Sequence, residues 1–321
     1  MNSISKVNLS DKKLTSLIHK NFGPHINILN VKENTQGWFN ALYDICLDND
    51  QKVFLKIAPP DHIPVLRYEQ QLLITEIEVL ELLANYPDIP SPKVLSIDFD
   101  REVIDSDYFI MESLPGESLS SCHQSFDIET LKNIERQKGR INRSLNKITG
   151  TNFGMYGKQH KKYQTWGEAF LEMVDNILAD AYDFKAKLIW PQTDIRELFI
   201  QHKSLFDQVK VPSLVHWDLH DGNVMVNASG QITGIIDCDR ALWGDASIEY
   251  YFNQIYPSSD DFYSGYGIDR PNSEDFIIKR QLYDLYLTLI FVTECESRKI
   301  TDKDHRSWAK DCLSTQLKKL S

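Results

Sequence analysis

The stretch LVHWDLHDGNVMVNASGQITGIIDCD, residues 214–239, constrains the fold more than any other part of the chain. Val224–Val226 and Ile232–Ile236 are short apolar runs separated by Asn-Ala-Ser-Gly-Gln, a hairpin turn sequence with Gly230 inside it. Pairing the two runs brings Asn223, at the start of the first, beside Asp237, at the end of the second. Two hard oxygen ligands then project from one edge of the hairpin, a donor set suited to Mg²⁺ with its few protein oxygens. Asp218 lies five residues before Asn223 on the preceding loop and can face the same point. A carboxylate there can accept a proton from an attacking hydroxyl. Isolated Asp and Asn residues in loops are usually turn formers. Three of them at this spacing around a hairpin make a stronger pattern than turn formation explains.

The order of elements around the hairpin suggests two unlike units. Residues 27–30, 38–47 and 52–58 are strand-like runs bounded by turn residues. From about Pro64 to Asn85 the period becomes helical, with Leu72, Leu73, Ile77, Leu80 and Leu83 on one stripe. Two more strands are expected near Lys93–Ile97 and Tyr108–Met111. Five strands with one helix after the third make a first unit, residues 1–113. The chain turns at Leu114-Pro115-Gly116, and helical patterns then dominate, at 128–147, 166–181 and 194–209. The second unit, 114–321, is therefore mainly helical with the hairpin embedded in it. Residues 120–210 carry no strand signal and read as a helical insertion. The fold class is α+β.

His216-Trp217-Asp218-Leu219-His220-Asp221-Gly222-Asn223, followed by Ile236-Asp237, resembles the H-x-D-x(4)-N and I-D signature of the aminoglycoside phosphotransferases and their relatives. Trp243-Gly244-Asp245-Ala246-Ser247-Ile248-Glu249 is similar to that family's Gly-Asp-x(3)-Asp segment, with Glu249 where Asp is usual. The resemblance implies a bilobal, protein-kinase-like fold with a nucleotide, ATP or GTP, between the lobes. It implies Asp218 as catalytic base and Asn223 and Asp237 as Mg²⁺ ligands. Asp239 is an additional candidate, either for a second metal or for a backbone contact.

The upstream half can be read in the same light. Lys56, in VFLKIA, stands where the family's phosphate-binding lysine resides, although a lone strand lysine more often snorkels to solvent. Glu76 lies in a helical E-x-x-V-L-x-x-L context twenty residues on, and an ion pair would hold the Lys56 ammonium against the phosphates. Glu78 is a rival for that role. Met111-Glu112-Ser113-Leu114 matches the hinge that contacts the base of the nucleotide, so Met111 and Ser113 join the binding set. Trp166-Gly167-Glu168-Ala169-Phe170 sits where relatives carry a tryptophan-led helix. The resemblance is weakest before Gly37 and after about Tyr256. Two departures stand out. The phosphate loop, residues 34–40, has a single glycine rather than G-x-G-x-x-G, and Trp217 replaces the Gly common in relatives and the Arg of protein kinases.

Composition narrows the partners. Thirty-five basic against 46 acidic side chains give a net charge of -11, the wrong sign for a general nucleic-acid binder. The five cysteines are scattered, with no CxxC pair, so reduced thiols and a cytoplasmic setting are expected. His216 and His220 bracket the loop without a third ligand, which does not make a zinc site. The longest apolar stretch, residues 285–292, is far short of the ~20 residues that cross a bilayer. The expected partner is a small hydroxylated acceptor, with no membrane, and the chain is a monomer or a homodimer. Aminoglycoside-like antibiotics, other sugars, macrolides, choline, homoserine and protein-bound sugar adducts all fit the resemblance. A cationic acceptor would use the acidic residues from Glu249 to Glu296, which otherwise are solvated faces. An apolar acceptor would use the helical segment with Trp166 and Phe170 as pocket wall. Tyr250, Tyr251, Phe252 and Tyr256 read as core. A non-catalytic nucleotide-binding regulator is the rival from another class. A protein kinase is disfavoured by the lack of H-R-D, D-F-G and A-P-E.

Overall fold

A computed structural model describes residues 9–34, 39–255 and 257–320. Most of the expected loop 34–40 and Tyr256 of the aromatic cluster lie outside those residues. The chain begins with a helix the sequence reading did not anticipate, α1 (Asp11–Phe22). Ser10 caps it by accepting from the Lys13 N–H, and Leu14, Leu17 and Ile18 form its buried stripe. Strands β1 (Ile28–Asn34), β2 (Ala41–Leu47) and β3 (Lys52–Ile57) follow. The helix expected from Pro64 starts later: residues 67–69 form a 3₁₀ turn, Gln71 is left-handed at φ 64°, and α2 runs Leu72–Leu83. β4 (Val94–Asp98) and β5 (Tyr108–Glu112) complete an antiparallel sheet in the order β1-β2-β3-β5-β4.

The two-residue period of the strands sets which side chains meet which helix. Val53, Leu55 and Ile57 of β3, with Tyr108 and Ile110 of β5, pack on the α1 side. Phe109 and Met111 pack on the α2 side with Leu73, Ile77 and Leu80. Lys56 alternates with Leu55 and Ile57, so it emerges on the α2 face.

After β5 come β6 (Glu117–Ser118), α3 (Leu119–Cys122) and α4 (Ile128–Lys147), capped by Asp127 accepting from Thr130 N–H at 2.7 Å. The segment expected to lack strands holds one of two residues, β7 (Gly154–Met155). α5 (Trp166–Asp183) is followed by α6 (Gln192–Gln201) and α7 (Lys203–Asp207), which are split at His202. Then come β8 (Ser213–Val215), β9 (Val224–Val226), β10 (Ile232–Ile235) and β11 (Leu242–Gly244). The helices α8 (Asp260–Tyr266), α9 (Glu274–Ser297) and α10 (Lys303–Lys319) end the chain.

β9 and β10 form the expected hairpin, and β6 adds to it in the order β10-β9-β6, while β7-β11-β8 make a third small sheet. Gly116, just before β6, has φ 102°, and a Cβ there would lie 2.1 Å from the Val226 carbonyl oxygen. Only glycine lets the hinge exit pass so close to the hairpin. The helical core is aromatic. Phe170 sits against Trp166, Phe199, Phe206, Tyr283 and Tyr286, with ring centroids 4.8–5.8 Å apart. Trp166 and Phe170 are fully buried there, so they do not line a pocket for an apolar acceptor as the sequence allowed. No helix among the described residues is long and apolar enough to cross a membrane, and none of the five cysteines is paired.

Candidate active site

The loop between β8 and β9 is fastened at several points. The Glu249 carboxylate is buried and accepts from the backbone N–H of His216 at 2.9 Å and of Trp217 at 3.1 Å. His216 Nδ1 accepts from the Asp218 N–H at 3.3 Å, which leaves Nε2 to donate to the Ile236 carbonyl at 3.0 Å. This histidine thus joins the loop to the end of the hairpin and is no metal ligand. The Asn223 side chain donates to the Asp218 carbonyl at 2.8 Å, and Ile236 N–H donates to the Asn223 carbonyl at 3.0 Å. These bonds bring Asp218, Asn223 and Asp237 to one end of a cavity of about 390 Å³, lined also by Lys56, Glu76, Asp239 and Arg240. Asp237 itself is left-handed at φ 64°.

Lys56 is buried and pairs with Glu76, with Asp237 at 2.5 Å and with Asp239 at 3.4 Å. Glu78, the rival, is on the outer side of α2 beside Glu81 and Tyr156. Burial works against the Lys56 charge, yet Asp237, Glu76 and Asp239 hold its pKa well above the ordinary value. Burial likewise opposes ionisation of Asp237, but Lys56 outweighs it and brings that carboxyl down to about 2. Burial and the neighbouring Asp237 push Asp239 well up. At Asp218 burial dominates and raises the pKa, with Arg240 and His220 pulling the other way. Oxygens of Glu76, Asp237 and Asp239 lie within 4.8 Å of one another, and Glu76 Oε1 is buried without a hydrogen-bond partner. The Asn223 amide nitrogen is committed to the Asp218 carbonyl, so its oxygen is the atom left to ligate. An all-oxygen set of this charge fits a hard divalent cation. Met111 and Ser113 line an adjoining cavity of about 560 Å³ with Glu33, Asp44, Phe54 and Leu114.

A family model described as the phosphotransferase enzyme family matches residues 30–261. The chain belongs to that family.

This family member has an α+β, kinase-like fold. Solved structures share the fold over nearly the whole length. A putative fructosamine-3-kinase from Thermobifida fusca is 19% identical with TM-score 0.69, covering 96% of this chain and 100% of its own. A thermostable mutant of the aminoglycoside phosphotransferase APH(4)-Ia, in a ternary complex with AMP-PNP and hygromycin B, is 17% identical with TM-score 0.67, covering 95% and 98%. A curated relative, a subtelomeric hrmA-associated cluster protein of Aspergillus fumigatus, is 28% identical over 133 residues, 41% of this chain. The chain spans only 25% of that relative's length.

The candidate site also has residues that the sequence did not reveal. Arg240 follows the hairpin and puts its Nε 3.8 Å from Asp218 Oδ2. Glu294 of α9 accepts on the single atom Oε1 from Tyr68 at 2.6 Å, Arg298 at 2.8 Å and Arg240 at 3.2 Å. Arg298 also donates to Glu69 at 2.6 Å, and the Arg67 side chain pairs with Asp180 of α5. Residues 67–69, just before α2, are therefore strapped to α5 and to the C-terminal end of α9. Arg240 was findable in principle, being one residue past Asp239. The strap was not, because its partners lie more than a hundred positions away.

Three acidic residues expected on a solvated or cation-receiving surface are elsewhere. Glu249 and Asp284 are fully buried, the latter paired with Arg280 at 2.8 Å, and Glu294 is tied to the two arginines. Burial followed because each has an interior partner, which single-sequence charge patterns do not reveal. Trp217 is buried against Tyr286 and Tyr68. Glu249→Ala should destabilise the protein by about 2–4 kcal/mol, since it strips two buried backbone donors of their acceptor. Urea unfolding measures this; a loss below ~0.5 kcal/mol would show that the loop is held by other means.

Proposed function

We propose that the protein transfers the γ-phosphate of ATP to a hydroxyl of a small molecule. The observation that carries this reading is the convergence of Asp218, Asn223 and Asp237 on a cavity crossed by the Lys56–Glu76 pair. Lys56, held by Glu76, anchors the phosphates. Asn223 and Asp237 are the residues to hold Mg²⁺, which when bound neutralises charge on the phosphates. Asp218 orients the acceptor hydroxyl and takes its proton as the new O–P bond forms and the bond to the β-phosphate breaks. Burial raises its pKa, which makes it a better proton acceptor than an exposed carboxylate. Met111 and Ser113 belong to the nucleotide-binding wall, and GTP is the alternative donor. A boundary near residue 113 between nucleotide and catalytic lobes fits this division of labour. The intact base and metal ligands speak against a regulator without turnover.

The acceptor is a hydroxylated small molecule, and we favour one without dense positive charge. Asp260, Asp261 and Glu296 are paired with Arg270, Arg136 and Arg306, and Glu249, Asp284 and Glu294 are consumed internally. The test is a screen of sugars, amino alcohols, aminoglycosides and macrolides for stimulated MgATP and MgGTP hydrolysis. For the best acceptor found, KM should stay nearly flat as salt rises, because long-range steering is screened beyond about 8–10 Å. A steep rise of KM with salt would restore the polycation. A complete screen without stimulation, with nucleotide bound, would favour the regulator.

A further inference from the structure

Between Glu69 and Asp218 runs a chain of alternating charge: Glu69, Arg298, Glu294, Arg240, Asp218, each within 3.8 Å of the next. It begins on the strap, crosses α9 and ends at the candidate base, and side-chain exposure rises from 2% at Glu69 to 21% at Asp218. Buried ion chains contribute little to stability for their desolvation cost, and their best-attested use is to fix a geometry. The geometry fixed here is unusual in one respect. At 3.8 Å, Arg240 Nε is near Asp218 but beyond hydrogen-bond range, whereas an unrestrained arginine beside a carboxylate settles into a fork at about 2.7–2.9 Å. Two supports hold the guanidinium back. Glu294 Oε1 takes its Nη2 at 3.2 Å, and the Tyr68 ring lies under it at 5.3 Å from the centroid.

Resting on the phosphotransferase reading above, we infer that Glu294 is a positioning residue that keeps Arg240 from closing onto Asp218. A fork between Arg240 and Asp218 would tie one lone pair of each carboxylate oxygen to the guanidinium and stabilise the charged form, which makes Asp218 a weaker acceptor for the proton of the substrate hydroxyl. Glu294 touches no reacting atom; it acts through Arg240. Tyr68 reinforces it by donating to the same oxygen at 2.6 Å, and Arg298 donates there as well. The strap thereby reports to the base: when residues 67–69 are docked, Glu294 is fixed and Asp218 is open.

The experiment uses the full chain with MgATP, following slow hydrolysis with water as acceptor and nucleotide affinity in parallel. Glu294→Gln should lower kcat by about tenfold to a hundredfold, part of the span of a lost general base, with nucleotide affinity within about twofold of the parent. Adding Arg240→Met to it should recover at least half of that loss on a logarithmic scale, because the group that closes on Asp218 is gone. Tyr68→Phe, which keeps the aromatic volume and removes one donor to Glu294, should lower kcat several-fold in the same direction. It serves as the readout if Glu294→Gln does not fold. Unchanged kcat in Glu294→Gln, no recovery in the double variant, or an unchanged Tyr68→Phe overturns the inference. If the parent protein itself does not hydrolyse nucleotide and gains nothing from any acceptor, it is the underlying reading that fails.

Discussion

Asp218→Asn should cut turnover by roughly 10² to 10⁴ while leaving folding and nucleotide affinity nearly intact. The residue is anchored through its backbone: its N–H donates to His216 and its carbonyl accepts from Asn223. Asparagine keeps both bonds and the same shape, so the loop has no reason to move. What it loses is the negative oxygen proposed to take the proton, and the attraction of Arg240 at 3.8 Å. Burial already makes Asp218 a stronger base than an exposed carboxylate, which enlarges the loss. The measurement is kcat at saturating MgATP beside thermal unfolding of both proteins. A folded variant with unchanged kcat would remove Asp218 from the chemistry.

Of the two substitutions at the proposed ligands, Asp237→Ala should be the more damaging, reducing Mg²⁺-dependent nucleotide affinity further than Asn223→Ala. Lys56 holds the Asp237 carboxyl near 2, so it is ionised at every pH at which the protein would be assayed. A divalent cation therefore meets a full negative charge there and only a neutral amide at Asn223. Removing Asp237 also takes away one of the three carboxylates that surround Lys56. Titrating Mg²⁺ against nucleotide affinity in both variants ranks them. If Asn223→Ala were the worse, Asp237 would not be the principal ligand. Chelation with EDTA should reproduce the Asp237→Ala behaviour in the parent protein.

The parts of this site that were legible in the sequence are those written in short-range periodicity. Two-residue alternation puts Lys56 on the α2 face, helical spacing turns Glu76 inward, and the Gly230 turn aligns Asn223 with Asp237. What could not be read depends on long-range partners. Glu249 looks like one surface acid among many until the His216 and Trp217 amides are found pointing at it. Glu69 and Glu294 are far apart in the chain and share Arg298. The late start of α2 is a backbone effect: Gln71 is left-handed, and the apolar stripe itself begins only at Leu72. The signals for α1, a Ser10 cap and Leu14, Leu17 and Ile18 at helical spacing, are short and adjoin strand-like runs, which makes that helix hard to read from sequence.

Trp217 has a backbone that would suit glycine best, at φ 68°. For a non-glycine residue that conformation costs roughly 1–2 kcal/mol. Its indole is stacked on Tyr286 at 5.7 Å and 18°, edge-on to Tyr68 at 5.9 Å, and almost wholly buried. Losing a buried aromatic of that size costs about 3–5 kcal/mol, so packing outweighs backbone strain. Tyr68, Trp217 and Tyr286 are consequently one packing unit. Replacing Trp217 by glycine therefore crosses a trough in stability unless the two tyrosines change with it, and Tyr68 is tied to Glu294 by its hydroxyl.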